Sequence, residues 1–143
     1  MSQEFDKVAE FNNTFGHAVR SYPGLEYADV ELRLRIFEEE AEELRTAFED
    51  KDEVEFLDAL GDVLVTLFGL AQATGMPIIE GFNIIHESNM SKLGEDGKPV
   101  YFPEYHPKAG KIAKGPNFFR PTSGLSSLIE EKKADGRNST DDS

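Results

Sequence analysis

Residues 32–48 read LRLRIFEEEAEELRTAF, and this stretch decides the fold. Leu34, Ile36, Phe37, Ala41, Leu44, Ala47 and Phe48 recur at the spacing of a core-facing helical stripe. Glu38 and Glu42 point away from that stripe, Glu40 and Glu43 point into it, and Glu39 sits at its edge. A buried carboxylate is costly unless a cation or hydrogen bonds satisfy it. Residues 54–73, VEFLDALGDVLVTLFGLAQA, repeat the pattern with Glu55, Asp58 and Asp62 spaced three and four apart. The segment carries no charge after Asp62 and is the most apolar, so it is placed centrally. Two acidic stripes on adjacent helices can face each other and hold a divalent metal. Magnesium suits such a site because it takes oxygen ligands and keeps room for phosphates.

Working outward, residues 4–19 read as a first helix with Phe5, Val8, Ala9, Phe15 and Val19 on one face. Pro23-Gly24 breaks it, and Asp29 is a candidate cap for the second helix. Residues 49–53 form a polar turn. Gly75 ends the third helix, and Pro77 suits the first turn of a fourth, running to about Leu93. Residues 98–102 and 111–114 carry a weak signal for a short hairpin. Residues 122–143 read as a polar, flexible tail with one apolar cluster at 125–129, its last ten residues disordered. The expected fold is all-α: a four-helix core within a domain spanning 1–121, whose irregular C-terminal arm covers 94–121.

Composition narrows the function. The chain of 143 residues has a formal net charge of −13 and no cysteine. It offers no disulfide, zinc thiolate site or cysteine nucleophile. Such acidity argues against nucleic acid, which needs a basic face. The N-terminal residues do not resemble a signal peptide, and the longest apolar stretch is too short to span a bilayer. The expectation is a soluble cytoplasmic protein. If it handles phosphates, a metal must reverse the local charge.

A Glu run is usually a solvated face, but the helical wheel opposes that reading for Glu40 and Glu43. Asp62 is harder still to explain that way, because the helix around it is apolar on nearly every side. Thr66 and Gly69 continue its stripe and leave room for a ligand. The fourth helix adds His86 and Asn89 inside a face formed by Ile79, Phe82, Ile85 and Leu93, with Lys92 at its edge. The first adds Asn12 between Val8 and Phe15. Together these suggest a polar cavity in the bundle. Asn12 or Asn89 could read a base edge, and Lys92 could meet a phosphate. Phe11 or Phe15 could stack on the base, although core packing is the better reading of either alone.

Three stretches carry a family resemblance. They are Ile36-Phe37-Glu38-Glu39-Glu40-Ala41-Glu42-Glu43-Leu44, Glu55-Phe56-Leu57-Asp58-Ala59-Leu60-Gly61-Asp62 and Ser88-Asn89-Met90-Ser91-Lys92-Leu93. The sequence resembles the MazG-like, all-α nucleoside triphosphate pyrophosphohydrolases, in particular the branch similar to phosphoribosyl-ATP pyrophosphohydrolase. The arm elements Gly94-Glu95-Asp96-Gly97-Lys98-Pro99 and Lys114-Gly115-Pro116-Asn117-Phe118 match that branch too. Glu39, Glu40 and Glu43 match the family's Glu-Glu-x-x-Glu. For the Glu-x-x-Asp that follows, Glu55 and Asp58 fit the spacing. Placing Asp62 at the family aspartate instead leaves Ala59 where many relatives have Glu, and Asp58 could replace that carboxylate.

The resemblance implies Mg²⁺, with Mn²⁺ able to substitute, and cleavage of a nucleoside triphosphate between the α and β phosphates to monophosphate and pyrophosphate. Relatives act on dUTP and on purine deoxynucleotides such as dGTP. It also implies a homo-oligomer, commonly a dimer of dimers (a homotetramer), with an arm able to complete a neighbour's site. On this reading Glu40, Glu43, Asp58 and Asp62 are the expected metal ligands, with Glu55 a further candidate. Glu39 orients the attacking water, and Glu39, Glu40 and Glu43 form the catalytic set. Asn12, His86, Asn89, Lys92, Lys111 and Lys114 are the candidate substrate contacts, the lysines neutralising the leaving pyrophosphate.

Two other classes stay open. A carboxylate-bridged di-iron bundle needs Glu-x-x-His pairs, and His17, His86 and His106 follow Thr14, Asn83 and Pro103 at that spacing. A non-catalytic acidic interaction module would use the same stripes as partner surface, without stoichiometric Mn²⁺ binding.

Overall fold

The computed structural model describes residues 2–141, with the side chains of the last four left aside. The chain is all-α, with helices α1 (Gln3–Thr14), α2 (Val30–Glu49), α3 (Glu53–Thr74), α4 (Ile78–Met90) and α5 (Thr122–Asp141). Two compact units emerge: residues 2–78 with 131–141, and residues 79–130. No described helix is long and apolar enough to cross a membrane.

In the first unit, α2 and α3 form a helical hairpin. Its loop is only residues 50–52, and Lys51 there takes the left-handed conformation at φ 58°. Asp52 caps α3, its side chain accepting the Glu55 N–H at 3.1 Å. Ser2 caps α1 in the same way, accepting the Phe5 N–H at 3.0 Å. Phe5 meets Phe68 of α3 edge-to-face at 5.4 Å. The core of this unit is built on small residues, Ala47, Ala59, Gly69, Ala71 and Ala73, together with Val8.

Helix α1 ends at Thr14 rather than Val19, because Gly16 turns the chain at φ 77° and the His17 N–H bonds back to the Asn12 carbonyl at 2.7 Å. The loop that follows is fastened to the C-terminus of α3. Arg20 donates to the Ala73 carbonyl at 2.6 Å and to Asp29 at 2.7 Å, and its guanidinium lies 4.0 Å from the Tyr27 ring centroid. A cation on the last carbonyls of a helix is favourable, and the ion pair holds it there. Asp29 sits at the N-cap position of α2 as expected, its carbonyl accepting the Arg33 N–H at 3.1 Å, but its side chain pairs with Arg20 instead of bonding an α2 N–H.

Several wheel positions expected in the core are bare in the single chain. Phe11, Phe15, Val19, Leu34 and Phe48 are exposed, and so are Val54, Leu57, Leu60, Leu64 and Leu67 of the helix expected to be central. Apart from Ala59, the buried residues of α3 lie at its C-terminal end, within 69–74.

In the second unit, α4 buries Gly81 and Ser88 and leaves Phe82, Ile85, His86 and Asn89 exposed. The face expected to line a cavity is the outer one. The glycine face is chosen because α5 packs there: a Cβ on Gly81 would lie 3.5 Å from Leu125 and 3.9 Å from Leu128. Ser88 Oγ donates to the Phe119 carbonyl at 2.8 Å. The segment expected to be a flexible tail is thus helical through Asp141, with Leu128 buried; Asp142 and Ser143 lie outside the described residues. The expected hairpin is a single antiparallel bridge, Tyr101 with Ile112.

Gly75 closes α3 at φ 66°, and a Cβ there would sit 2.5 Å from the Tyr22 carbonyl oxygen. Gly75→Ala combines left-handed strain with that clash and should cost about 1–3 kcal/mol. A urea unfolding curve should show a lower midpoint at unchanged slope; an unchanged midpoint would mean the Arg20 loop is not fixed against α3.

Candidate active site

Glu40 and Asp62 stand at equal distances along the chain from Lys51, the apex of the α2–α3 turn. In an antiparallel helical hairpin such residues lie at the same level, and here both face the helix–helix seam. Both are half-buried, whereas Glu39, Glu43, Asp58 and Glu55 are exposed. Glu43 is therefore not the inward-pointing residue its wheel position suggested.

Electrostatics nevertheless tie four carboxylates together. The Glu40 carboxyl is raised above the usual value by burial first, then by the charge of Glu43 and a hydrogen bond shared with it, then by Asp62 and Asp58. Asp62 is raised by burial, then by Asp58 and Glu43. Glu40 Oε2 is buried without a hydrogen-bond partner. A hard divalent cation is the group this donor set fits, because it would satisfy that oxygen and reverse the mutual repulsion. Among the described residues, no three acidic or histidine side chains stand close enough to form a ready-made cage.

Glu40 and Asp62 form one end of a cavity of about 310 Å³, whose other walls are Phe11, Asn12, His17, Arg33, Ile36, Val65, Thr66 and Gly69. Phe11 presents an exposed ring here, with Phe15 4.7 Å away by ring centroids. Gly69 and Thr66 leave the space their small size suggested. Glu39, Glu43 and Glu55 line a separate, wider acidic crevice with Asp50 and Asp52. Glu55, near the capping turn, is thus set apart from the Glu40–Asp62 end.

Asn12 is buried and held at both ends of its amide, by Gln72 at 2.9 Å and His17 at 3.1 Å. It does not offer a free edge to a base. Sequence reading missed His17, Arg33 and Gln72. Gln72 gave a signal, a lone amide in an apolar run; Arg33 stands seven residues before Glu40, on the same helical face.

The remaining candidates belong to the second unit. Lys92 donates to Asn89 Oδ1 at 3.0 Å, Lys114 lies 4.8 Å from the Phe118 ring centroid, and Lys111 and His86 are exposed. Lys111 and Lys114 belong to the 94–121 arm, and α5 after it contributes the buried Leu128, so deleting everything from Gly94 onward would remove core as well as charge.

The sequence model for phosphoribosyl-ATP pyrophosphohydrolase matches residues 8–89, more than half of the chain and the span from α1 through nearly all of α4. The chain belongs to that family. The name describes enzymes that release pyrophosphate, and the match includes every carboxylate of the cluster. It ends before the arm. The chain is also similar to an uncharacterized protein of Acanthamoeba polyphaga mimivirus, 31% identical over 106 residues. That alignment covers 71% of this chain and 40% of the viral protein, so the chain spans well under two thirds of its relative's length.

Raised carboxyl values in this family member set a pH dependence. Glu40 and Asp62 hold protons more tightly folded than unfolded, so their contribution to stability is full below the unfolded carboxyl range and is lost as pH rises through the raised folded values. Without divalent metal, Glu40→Gln and Asp62→Asn should each raise the melting temperature by a few degrees in neutral buffer. The gain should shrink in acid. A loss of stability in neutral buffer would contradict the repulsion.

Proposed function

We propose that this chain hydrolyses a nucleoside triphosphate, dUTP or a purine deoxynucleotide such as dGTP, to the monophosphate and pyrophosphate. The observation that carries the reading is the buried, unpartnered Glu40 oxygen facing Asp62 at the end of a cavity open to an aromatic ring and an arginine. Glu40, Glu43, Asp58 and Asp62 would hold Mg²⁺, or Mn²⁺ in its place. When bound, the ion supplies the positive charge that a triphosphate needs in so acidic a setting, and acidifies water.

The protein's own groups do the rest. Glu39, with Glu55 as second candidate, is an exposed carboxylate of the neighbouring acidic crevice, proposed to accept a proton from the attacking water. Phe11 offers a stacking face to the base, and Arg33 donates to acceptor groups of the nucleotide. The reaction needs no protein nucleophile. Lys92, Lys111 and Lys114 are proposed to neutralise the leaving pyrophosphate.

The bare apolar stripe of α3, with Val54 77% and Leu57 70% exposed, favours a homo-oligomer, a dimer or a dimer of dimers. The setting proposed is cytoplasmic, where nucleotide pools lie.

Pyrophosphate release should be measured across dUTP, dGTP, dATP and their ribonucleotides with Mg²⁺ and with Mn²⁺. Activity is expected to fall at least about 100-fold in Asp62→Asn, the scale of removing one group that stabilises transition-state charge. Asp58→Asn should be less severe and Glu55→Gln least. Orthophosphate as the first product would overturn the reaction. Wild-type turnover in Asp62→Asn with none in Glu55→Gln would move the site into the wider crevice.

A further inference from the structure

Gln72 is 2% exposed in the apolar end of α3, where an amide is costly unless each end is bonded. Its Nε2 lies 3.0 Å from the Phe5 carbonyl oxygen. A carbonyl can only accept, so this end of the amide is the donor and the other end is the oxygen. That oxygen faces Asn12 Nδ2 at 2.9 Å, which fixes the Asn12 amide in turn. Asn12 Oδ1 then faces His17 Nδ1 at 3.1 Å. Polarity passes along the chain in one direction, from a backbone carbonyl that cannot change sign. His17 Nδ1 must therefore carry a hydrogen, and in the neutral ring the lone pair lies on Nε2.

The ring is held in place. The His17 N–H bonds the Asn12 carbonyl at 2.7 Å, and Phe11 packs edge-on with centroids 6.1 Å apart. His17 lies on the wall of the cavity that ends in Glu40 and Asp62. The other polar groups of that wall are differently occupied. Thr66 directs its hydroxyl hydrogen to the Asp62 and Val63 carbonyls and keeps acceptor capacity, but it stands one turn from Asp62; Arg33 can only donate, and the Asn12 amide is engaged at both ends. His17 Nε2 is the neutral acceptor this arrangement offers at the end away from the carboxylates.

We infer that His17 Nε2 orients the nucleoside half of the substrate by accepting a hydrogen bond from a donor on it, a sugar hydroxyl or a base N–H. The inference rests on the reading of this cavity as the nucleotide site. Asn12 and Gln72 are positioning residues that act through His17 by fixing its tautomer.

The test begins on the full chain without ligand. Long-range ¹H–¹⁵N spectra of the histidine rings, in alkaline buffer, should show His17 with Nδ1 protonated and Nε2 bare. The opposite tautomer, or an even mixture, overturns the inference without reference to any activity. Binding of the non-hydrolysable α,β-imido analogues of dUTP and dGTP with Mg²⁺ should then shift the His17 Nε2 resonance. His17→Phe, which keeps the ring's bulk without an acceptor, should weaken binding about tenfold, the worth of one such hydrogen bond. His17→Gln, with an oxygen near the Nε2 position, should recover most of it.

A 3′-deoxy analogue and a base N-methyl analogue separate the two donors, because the analogue lacking the true donor should no longer respond to His17→Phe. Equal binding by His17→Phe and wild type, or an undiminished response with both analogues, sinks the inference. If the wild type itself binds no nucleotide, the reading of the cavity falls and takes the ligand assignment with it.

Discussion

Glu40 and Asp62 lie half-buried at the same level of the seam between α2 and α3, and the cost of burying their charge, increased by the neighbouring carboxylates Glu43 and Asp58, is the constraint around which the site is organised. The hairpin makes the meeting unavoidable. A three-residue loop with Lys51 in the left-handed region sends α3 back along α2, and the two carboxylates sit level with each other on either side of it. Glu43 and Asp58, nearly level in the same way, add to the field from the exposed side. A folded chain keeps such a pair half-buried only if something useful compensates the cost in the working state. The buried unpartnered oxygen of Glu40 is where the proposed cation would supply that charge.

Much of this was legible in the sequence. Two acidic stripes on consecutive apolar helices, separated by a short polar turn, specify an α-hairpin with facing carboxylates from spacing alone, and the family match over 8–89 agrees with the all-α reading. The ranking of Asp62 as deep and Glu55 as peripheral also follows from the sequence, since one lies in an apolar run and the other beside the turn. The failures have a common cause. A helical wheel reports which residues share a face, not what covers that face. The pattern points Phe82 and Ile85 inward because they are large and apolar. Helix α4 instead buries Gly81 and Ser88, whose smallness lets α5 approach. The α5 segment looked like a tail because its apolar face is only Leu125, Leu128 and Ile129 wide, and its partner surface is a glycine.

The loop after α1 was illegible for a different reason. Its order comes from Arg20 reaching the Ala73 carbonyl and Asp29 at once, a long-range arrangement with no local pattern. The same loop brings His17 beside Asn12, so the cavity's polar wall depends on a turn that sequence periodicity treated as a break. The apolar residues left bare on α2 and α3 extend the same lesson outward. They are patterned like core, and the proposed homo-oligomer would cover them.

The central claim is that the Glu40–Asp62 cluster holds a divalent cation, and direct Mn²⁺ titration tests it independently of any substrate. Calorimetry in two buffers of different ionisation enthalpy measures affinity, stoichiometry and proton release together. The account predicts saturable binding that expels protons in mildly acidic buffer, because both raised carboxyls must ionise to ligate. Binding should be lost in Glu40→Gln and in Asp62→Asn. Unsaturable binding, or wild-type affinity and proton release in both variants, would contradict it.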